Sequence, residues 1–261
     1  MTQLETAQGR STQAAVSTAH SPNLRSLKNH LIQLLPRPHR EHLLSLCQQV
    51  PLYPGEVLCE RGTKAEFAYF PTEGFISLLA DGGSKPSLEV ALVGFEGMLG
   101  IELALDVAHT PLQAVVRRAG MAWRVSAEAL GAELAREPAL QRVLKRYALV
   151  LINQLGIHSA CLRFHLIEQR LARWLLMGQD RARADRFHVT HESLAALLGV
   201  RRVSITTTAG ALQRDGLIKY QHGEVTVVDR KGLQARVCAC YAADQAVYTK
   251  VLSSGAFRLL L

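Results

Sequence analysis

The pattern of apolar and polar positions divides the chain into a helical region, a strand-rich region and a second helical region. Between residues 23 and 49, apolar side chains recur three and four positions apart, which predicts two short helices. Between Val50 and Val125, short apolar runs alternate with turn signals such as Pro54-Gly55 at intervals of about ten residues. This spacing predicts a small antiparallel roll or barrel.

A long helix is predicted in the second helical region, which begins at Ser126. Pro138 suits the first turn of this helix, where its missing N–H has no helical partner to lose. One stripe then repeats at alternating spacings of three and four, namely Leu140, Val143, Tyr147, Val150, Gln154 and Ile157. Packing against the chain's own roll is one interpretation. Because the stripe is long and has coiled-coil spacing, we predict that its apolar members form the seam of a homodimer.

Two consecutive helices with a tight turn are predicted near the end of the chain. Thr190 is suited to cap the first helix, because its hydroxyl can accept a hydrogen bond from a free backbone N–H. Gly199 can adopt the positive φ of the turn, and Ala195, four positions earlier, allows the helices to cross closely. The second helix is predicted over residues 202–215. This spacing is typical of a helix-turn-helix.

A predicted hairpin follows the second helix. Two alternating segments, residues 216–220 and 224–228, flank a Gln221-His222-Gly223 turn. The paired helices alone also fit an ordinary helical corner, but a helix followed by such a wing is a DNA-binding arrangement. The residues predicted to face DNA are Arg201, Arg202, Val203, Ser204, Thr206 and Thr207, with Thr190 at the start of the first helix.

The distribution of charge supports this interpretation of the C-terminal part. The whole chain has a net charge of +8. Residues 1–162 contain 15 basic and 14 acidic side chains, whereas residues 163–261 contain 15 basic and 8 acidic ones. A basic segment joined to a nearly neutral one indicates that one end of the protein meets a polyanion.

Composition excludes several other classes. The chain contains no run approaching the roughly 18 apolar residues of a membrane span. Residues 1–22 are polar and are predicted to be a disordered tail without a secretory signal. Five scattered cysteines do not suggest a disulfide framework. We therefore predict a cytoplasmic protein that does not bind membranes.

These elements resemble the Crp/Fnr family of bacterial transcription regulators. The resemblance covers nearly all of the chain beyond residue 22 and is most specific in LAALLGVRRVSITTTAGALQRDGLIKY. It implies an α+β fold with a cyclic-nucleotide-binding-like antiparallel β-roll, a long dimerisation helix and a C-terminal winged helix-turn-helix. The predicted divisions are residues 1–22 for the tail, 23–125 for the N-terminal helices and sensory roll, 126–162 for the linker and dimer helix, and 163–261 for the DNA-binding domain.

The resemblance also implies which residues read DNA. Family members that read a TGTGA-type half-site present arginine, glutamate and arginine on the recognition helix. Arg202 matches the first of these, but Val203 and Thr207 take the other two places. Arg202 can address guanine, whereas Val203 is suited to a thymine methyl group and not to cytosine N4. The family's best-known operator is therefore not expected.

The predicted effector site departs from the family pattern as well. The turn at residues 94–100 resembles the Gly-Glu-Leu-type phosphate cradle, and the effector pocket is provisionally assigned to Glu96, Gly97, Met98, His109 and Thr110. The arginine that neutralises a cyclic phosphate in the family is replaced here by the His109-Thr110-Pro111 stretch, and Arg117 and Arg118 are not expected to substitute for it. We predict no binding of cyclic AMP or cyclic GMP tighter than about 100 μM.

No cofactor is assigned from the sequence. Cys47 and Cys59 are too few for an iron–sulfur cluster of the family type. Cys238 and Cys240 are interpreted as small residues packed in a terminal helix, because positions two apart on a helix do not share a face, so no metal site is predicted. Haem bound through a histidine is left open.

The sequence thus predicts a homodimeric, sequence-specific regulator of double-stranded DNA, with an unknown effector and no enzymatic activity. RNA polymerase is the expected further partner if the protein is an activator. One alternative is a cupin-like, metal-dependent enzyme fused to a DNA-binding domain. Residues 50–125 contain one histidine, His109, which gives that alternative little support. The other alternative is an architectural DNA-binding dimer whose roll binds no effector.

Overall fold

A computed structural model describes residues 28–81 and 87–252, so the predicted tail lies outside the described residues. The N-terminal half contains short helices, seven strands and a single turn of 3-10 helix. These are α1 (His30–Gln33), α2 (Arg37–Ser45), β1 (Gln48–Leu52), β2 (Val57–Cys59), β3 (Phe67–Pro71), β4 (Phe75–Ala80), β5 (Leu88–Val93), the 3-10 turn (Ile101–Leu105), β6 (Gln113–Arg118) and β7 (Gly120–Ser126).

The strands form the predicted antiparallel roll, built from two open sheets and not from a closed barrel. One sheet has the order β1-β7-β3 and the other β2-β6-β4-β5, with antiparallel neighbours throughout. Both sheets contribute fully buried side chains to one core, including Phe70, Ile76 and Val116. Burial of these apolar faces, at roughly 25 cal/mol per Å², holds the sheets together.

Helices dominate the rest of the chain. They are α3 (Ala127–Arg136), α4 (Pro138–Phe164), α5 (Ile167–Ala182), α6 (His191–Leu197), α7 (Arg202–Arg214), α8 (Arg230–Arg236) and α9 (Cys240–Leu252), with three short strands, β8 (Arg186–His188), β9 (Ile218–Gln221) and β10 (Glu224–Val227). The strands form a sheet of order β8-β10-β9. Pro138 occupies the first turn of α4, as predicted, and Ser126 caps α3 by accepting a hydrogen bond from Ala129 N at 3.2 Å.

The C-terminal part has its own core and rests on the roll. Leu171, Leu194, Ile205 and Leu212 are buried in this second core. At the junction, Trp174 of α5 lies edge-on to Phe75 of β4, with ring centroids 6.3 Å apart. The described helices are too short or too polar to cross a lipid bilayer.

The predicted dimer stripe on α4 packs inside its own chain, which corrects that assignment. Leu140, Tyr147 and Val150 are buried and belong to the core of the roll, while Val143 and Ile157 are half-buried. Helix α9 and strand β5 pack along the same helix. The three-and-four spacing correctly indicated a covered face, but the roll and α9 cover it. The solvent-exposed large apolar side chains in the middle of α4 are Leu149 (53%) and Ile152 (62%).

Candidate nucleic-acid interface

The two helices predicted from the turn glycine occur as α6 and α7. Thr190 caps α6, because its Oγ1 accepts a hydrogen bond from Ser193 N at 3.0 Å. Gly199 has a φ of +62°, and the backbone then turns so that Val200 N donates to Ala195 O at 2.9 Å. A side chain at position 199 would be strained in this left-handed conformation. The local signals therefore locate both helices and the turn.

Helix α7 has one buried and one exposed face. Ile205, Ala209 and Leu212 pack into the C-terminal core. The predicted DNA-facing residues on the other face are exposed, namely Arg201, Arg202, Val203, Thr206 and Thr207. Ser204 is half-buried, and Thr190 is exposed at the start of α6. Val203 is 66% exposed, so its methyl groups lie on the surface of this face. The face thus combines two cations with methyl groups.

Contacts around His191 fix the position of this face. Its imidazole stacks on Tyr220 of β9, with ring centroids 4.3 Å apart, and a 3.1 Å hydrogen bond joins its Nδ1 to Thr206 Oγ1 of α7. Tyr220 in turn donates a hydrogen bond to Val189 O. Burial, and then the nearby Arg202, lower the pKa of His191, so that its ring is neutral at neutral pH. These contacts join α6, α7 and the wing.

The wing is a tight hairpin between β9 and β10. His222 and Gly223 have φ angles of +51° and +79°, the left-handed pair found in two-residue hairpin turns of type I′. Lys219 is exposed on β9, and Arg186 of β8 pairs with Glu224 at 2.8 Å. The wing therefore projects beside the exposed face of α7 with at least one free cationic chain, which suits a phosphate backbone.

The residues predicted for the effector pocket do not form one open site. The Glu96 carboxylate pairs with Arg181 of α5 at 2.7 Å, and Met98 is buried. A Cβ at Gly97 would lie 2.0 Å from Tyr147 Oη, so nothing else fits there. Residues 96–98 are thus engaged in contacts with α4 and α5, although Glu96 Oε2 has no hydrogen-bond partner, and their role in effector binding stays a prediction.

His109 and Thr110 lie elsewhere, beside β2. His109 is exposed, and its backbone pairs with that of Lys64 in an isolated antiparallel β-bridge. Thr110 is buried; its Oγ1 donates a hydrogen bond to Leu112 O at 2.9 Å and lies 4.0 Å from Cys59 Sγ. Cys59 and Lys64 are also part of the wall of a cavity of about 310 Å³. Residues 96–98 therefore pack against α4 and α5, whereas His109 and Thr110 lie next to two residues of the cavity wall.

The cavity has one conspicuous polar group that the sequence analysis missed. Glu102 is 9% exposed, and its Oε1 has no hydrogen-bond partner. It belongs to the 3-10 turn that Gly100 opens with a φ of +91°, and both residues line the cavity. The Gly-Ile-Glu-Leu stretch at residues 100–103, six positions after Gly94, is the sequence signal for this turn.

The two candidate rescuing arginines point away from this cavity. Arg117 Nε donates to Ser77 Oγ at 3.0 Å, and Arg118 donates to Ala182 O at 3.2 Å. The cavity lining consists of Leu58, Cys59, Thr63, Lys64, Ala65, Glu66, Phe67, Tyr69, Leu99, Gly100 and Glu102. It includes a lysine and two glutamates but no guanidinium group.

Comparison with known proteins locates the fold. Residues 169–236 match the model of the Crp-like helix-turn-helix domain. Among solved structures, FixK2 from Bradyrhizobium japonicum is 15% identical, with a TM-score of 0.63 over 74% of this chain and 98% of its own. The c-di-GMP-responsive global regulator CLP from Xanthomonas campestris is 18% identical, with a TM-score of 0.60 over 74% of this chain and 99% of its own.

A third structure, described as a putative Crp/Fnr-family regulator from Eubacterium rectale, is 15% identical, with a TM-score of 0.60 over 78% of this chain and 96% of its own. No curated protein matches the chain. The second and third of these structures are named as regulators. Residues 169–236 thus match the Crp-like helix-turn-helix domain, and about three quarters of the chain shares the fold of these structures, one of which is described as a Crp/Fnr-family regulator.

Proposed function

We propose that this chain is a homodimeric transcription regulator that binds a specific double-stranded DNA site through α7. The observation that carries the proposal is the exposed α7 face, which has Arg201 and Arg202 at its N-terminus within a Crp-like domain. A helix N-terminus is itself partly positive, so the arginines and the helix dipole act together on a polyanion. The divisions at residues 125 and 162 are proposed as its functional boundaries.

The exposed face of α7 also suggests which bases it recognises. Arg202 is placed to donate to a guanine edge, and Arg201, beside the turn, to a phosphate. The Thr206 and Thr207 hydroxyls donate to the carbonyls of Arg202 and Val203 at 3.2 and 3.0 Å. Because these hydroxyls are already engaged, the threonines and Val203 offer mainly methyl groups, which suit thymine. We propose a half-site with one guanine beside A·T pairs.

Selection of binding sites from random duplexes tests this assignment. Arg202→Ala should cost about 1–3 kcal/mol on the selected site and relax one base preference per half-site, whereas Arg201→Ala should weaken all sequences alike and reduce the salt dependence. Arg214→Ala is the matched control, since Arg214 is exposed at the other end of α7. Unchanged affinity and base preference in Arg202→Ala would refute the assignment.

We place the dimer contact on the exposed stripe of α4. Leu149 and Ile152 lie one turn apart, and the exposed Gly156 follows one turn later with nothing within 4 Å of a Cβ built on it. Two copies of this stripe can meet across a two-fold axis, with the glycine allowing close approach. Ile152→Glu should therefore give monomers in sedimentation at micromolar concentration. Leu105→Glu, an exposed apolar residue on the roll, should remain dimeric; dimers in both variants would contradict this placement.

We propose that the 310 Å³ cavity near β2 holds the effector. The free Glu102 oxygen favours a ligand that donates a hydrogen bond, and a buried phosphate would lack a paired guanidinium. Titration calorimetry with cyclic AMP and cyclic GMP should show no dissociation constant tighter than about 100 μM. Low-micromolar binding that Glu102→Gln abolishes would show that a cyclic nucleotide uses the cavity after all.

A purely architectural dimer remains the second candidate. Its DNA affinity would be indifferent to small molecules, whereas that of an effector-controlled regulator would change on addition of extract from its own source. The proposal places the protein in the cytoplasm, with RNA polymerase as a partner if it activates transcription. Pull-down of polymerase on operator DNA, with and without the protein, tests that partner.

A further inference from the structure

Three cysteines and a histidine come together where the long helix α4 meets the C-terminal helix α9. Cys161 lies in the last turn of α4, and His165 directly follows that helix. Cys238 lies in the connection between α8 and α9, and Cys240 is the first residue of α9. One ligand atom from each, three sulfurs and one imidazole nitrogen, lies within 4.8 Å of all the others.

The separations between these atoms match a single tetrahedral metal ion. Zinc binds sulfur at about 2.3 Å and nitrogen at about 2.0–2.1 Å, so ligand atoms on a tetrahedron are separated by about 3.8 Å for two sulfurs and about 3.6 Å for sulfur and nitrogen. Cys161 Sγ and Cys238 Sγ are 3.6 Å apart, and Cys240 Sγ and His165 Nδ1 are 3.5 Å apart. The ligands of an iron–sulfur cluster bind different iron atoms, with the sulfides of the cluster between them. The four ligand atoms here are too close together to surround such a cluster.

The backbone explains why the four groups converge. Cys161 and His165 are four positions apart, and His165 N donates to Cys161 O at 3.2 Å to close the last turn, so both side chains lie on one side of the helix end. Cys238 precedes α9, and its carbonyl accepts from Tyr241 N at 3.2 Å. The sequence analysis placed Cys238 and Cys240 on one helix, where they would diverge. That interpretation is wrong, because Cys238 lies outside the helix.

We propose that Cys161, His165, Cys238 and Cys240 bind one Zn²⁺ ion per chain. With four protein ligands and no open position, the site would be structural and not catalytic. It would fasten the end of α4 to the start of α9, at the joint between the long helix and the DNA-binding domain. The orientation of the domain relative to α4 would then depend on zinc occupancy.

The surroundings suit a thiolate–metal centre. Cys161 and Cys238 are buried, and burial raises the pKa of the Cys161 thiol to about 12. Zinc bound by three thiolates and one neutral imidazole would form a centre with one net negative charge. The positive charges of Arg173 and Arg170 act on Cys161, and because Arg173 already pairs with Asp244, Arg170 is the guanidinium group that would balance that charge.

Metal analysis of the full-length protein tests the site directly. The protein is purified under reducing conditions, with a tag that contains no histidine, and zinc is measured by inductively coupled plasma mass spectrometry. We expect one zinc per chain in the wild type, and a small fraction of that in Cys161→Ser and Cys238→Ser. Cys47→Ser is the matched control, because Cys47 is half-buried in the N-terminal half, and it should retain its zinc.

Cobalt binding to the wild type keeps the proposal testable if a cysteine variant fails to fold. Apo protein titrated with Co²⁺ should develop the intense visible bands of a tetrahedral thiolate site at one equivalent, and Zn²⁺ should bleach them. His165→Ala, which changes a partly exposed residue, should weaken these bands or change their shape. A wild type that holds no zinc and gives no tetrahedral cobalt spectrum would overturn the proposal, as would zinc retained at full stoichiometry in folded Cys238→Ser.

Discussion

Replacing Glu89 by glutamine should remove a large part of the pH dependence of stability. Glu89 lies on β5, is 3% exposed and accepts a hydrogen bond from Trp174 Nε1 of α5 at 2.7 Å. Its other carboxylate oxygen is hydrogen-bonded to Ser77. Burial raises its pKa to about 7, although Ser77, Arg117 and Trp174 each pull in the opposite direction. The carboxyl group therefore lies between the roll and the DNA-binding domain and titrates near neutral pH.

The size of the effect follows from the difference between the folded and unfolded pKa. An unfolded glutamate ionises near pH 4.5, and each unit of difference is worth about 1.4 kcal/mol. Because the folded pKa is raised, the stabilisation is complete below the unfolded pKa and is lost as pH rises from about 4.5 to about 7. The total loss is about 3 kcal/mol, and above pH 7 no further change arises from this group.

Urea unfolding at several pH values between about 5 and 8 measures this loss. Glutamine keeps the shape of the side chain and cannot ionise, so the wild type should lose about 2–3 kcal/mol more than Glu89→Gln across this range. Glu128→Gln, which changes an exposed carboxyl group on α3, should follow the wild-type curve. Parallel curves for the wild type and Glu89→Gln would refute the reasoning.

Three further predictions concern packing and capping. Gly97→Ala should lower the free energy of unfolding, measured in urea, by about 1–3 kcal/mol, because its Cβ would lie 2.0 Å from Tyr147 Oη. Gly131→Ala on α3, where the added Cβ meets nothing, should raise it by up to about 1 kcal/mol. Val150→Glu should lower the thermal midpoint of each protomer, because Val150 is buried in its own core; an unchanged midpoint would contradict this burial. Thr190→Ala should cost about 1 kcal/mol of stability through the lost α6 cap, and Thr190→Ser should restore it.

The winged helix-turn-helix could be predicted from the sequence because its signals are local. The Thr190 cap, the left-handed Gly199 and the His222-Gly223 hairpin each depend on residues within a few positions. The roll could be predicted for the same reason, from regularly spaced turns between short apolar runs. Backbone conformations of this kind are set by nearby residues, so they do not require knowledge of the tertiary structure.

The dimer stripe could not be assigned in this way. Apolar spacing shows that a helix face is covered but does not identify what covers it. Tyr147 and Val150 contact a core that Tyr248 of α9, about a hundred positions away, helps to form. The exposed positions of α4 contained the complementary information, because the apolar Leu149 and Ile152 follow the exposed cations Arg142, Lys145 and Arg146.

The cavity and the cysteine cluster depended on long-range geometry as well. Glu102 and Cys59 belong to segments that meet only when the roll forms. Cys161 and Cys238 are separated by 77 positions, and only the packing of α4 against α9 brings their sulfurs together. Neither the Cys-x-x-x-His spacing nor the Cys-x-Cys spacing alone predicts a metal site, because only the fold brings the two pairs together.

Hydroxyl-radical footprinting of the full-length protein on its selected DNA tests the central claim most directly. A homodimer that inserts α7 into successive major grooves should protect two symmetric half-sites on one face of the duplex, centred about one helical turn apart. Arg202→Ala should lose both protected regions at the concentration that saturates the wild type, and Arg214→Ala should keep them. A uniform or absent footprint for the wild type, or a single unpaired half-site, would contradict a dimeric, sequence-specific regulator.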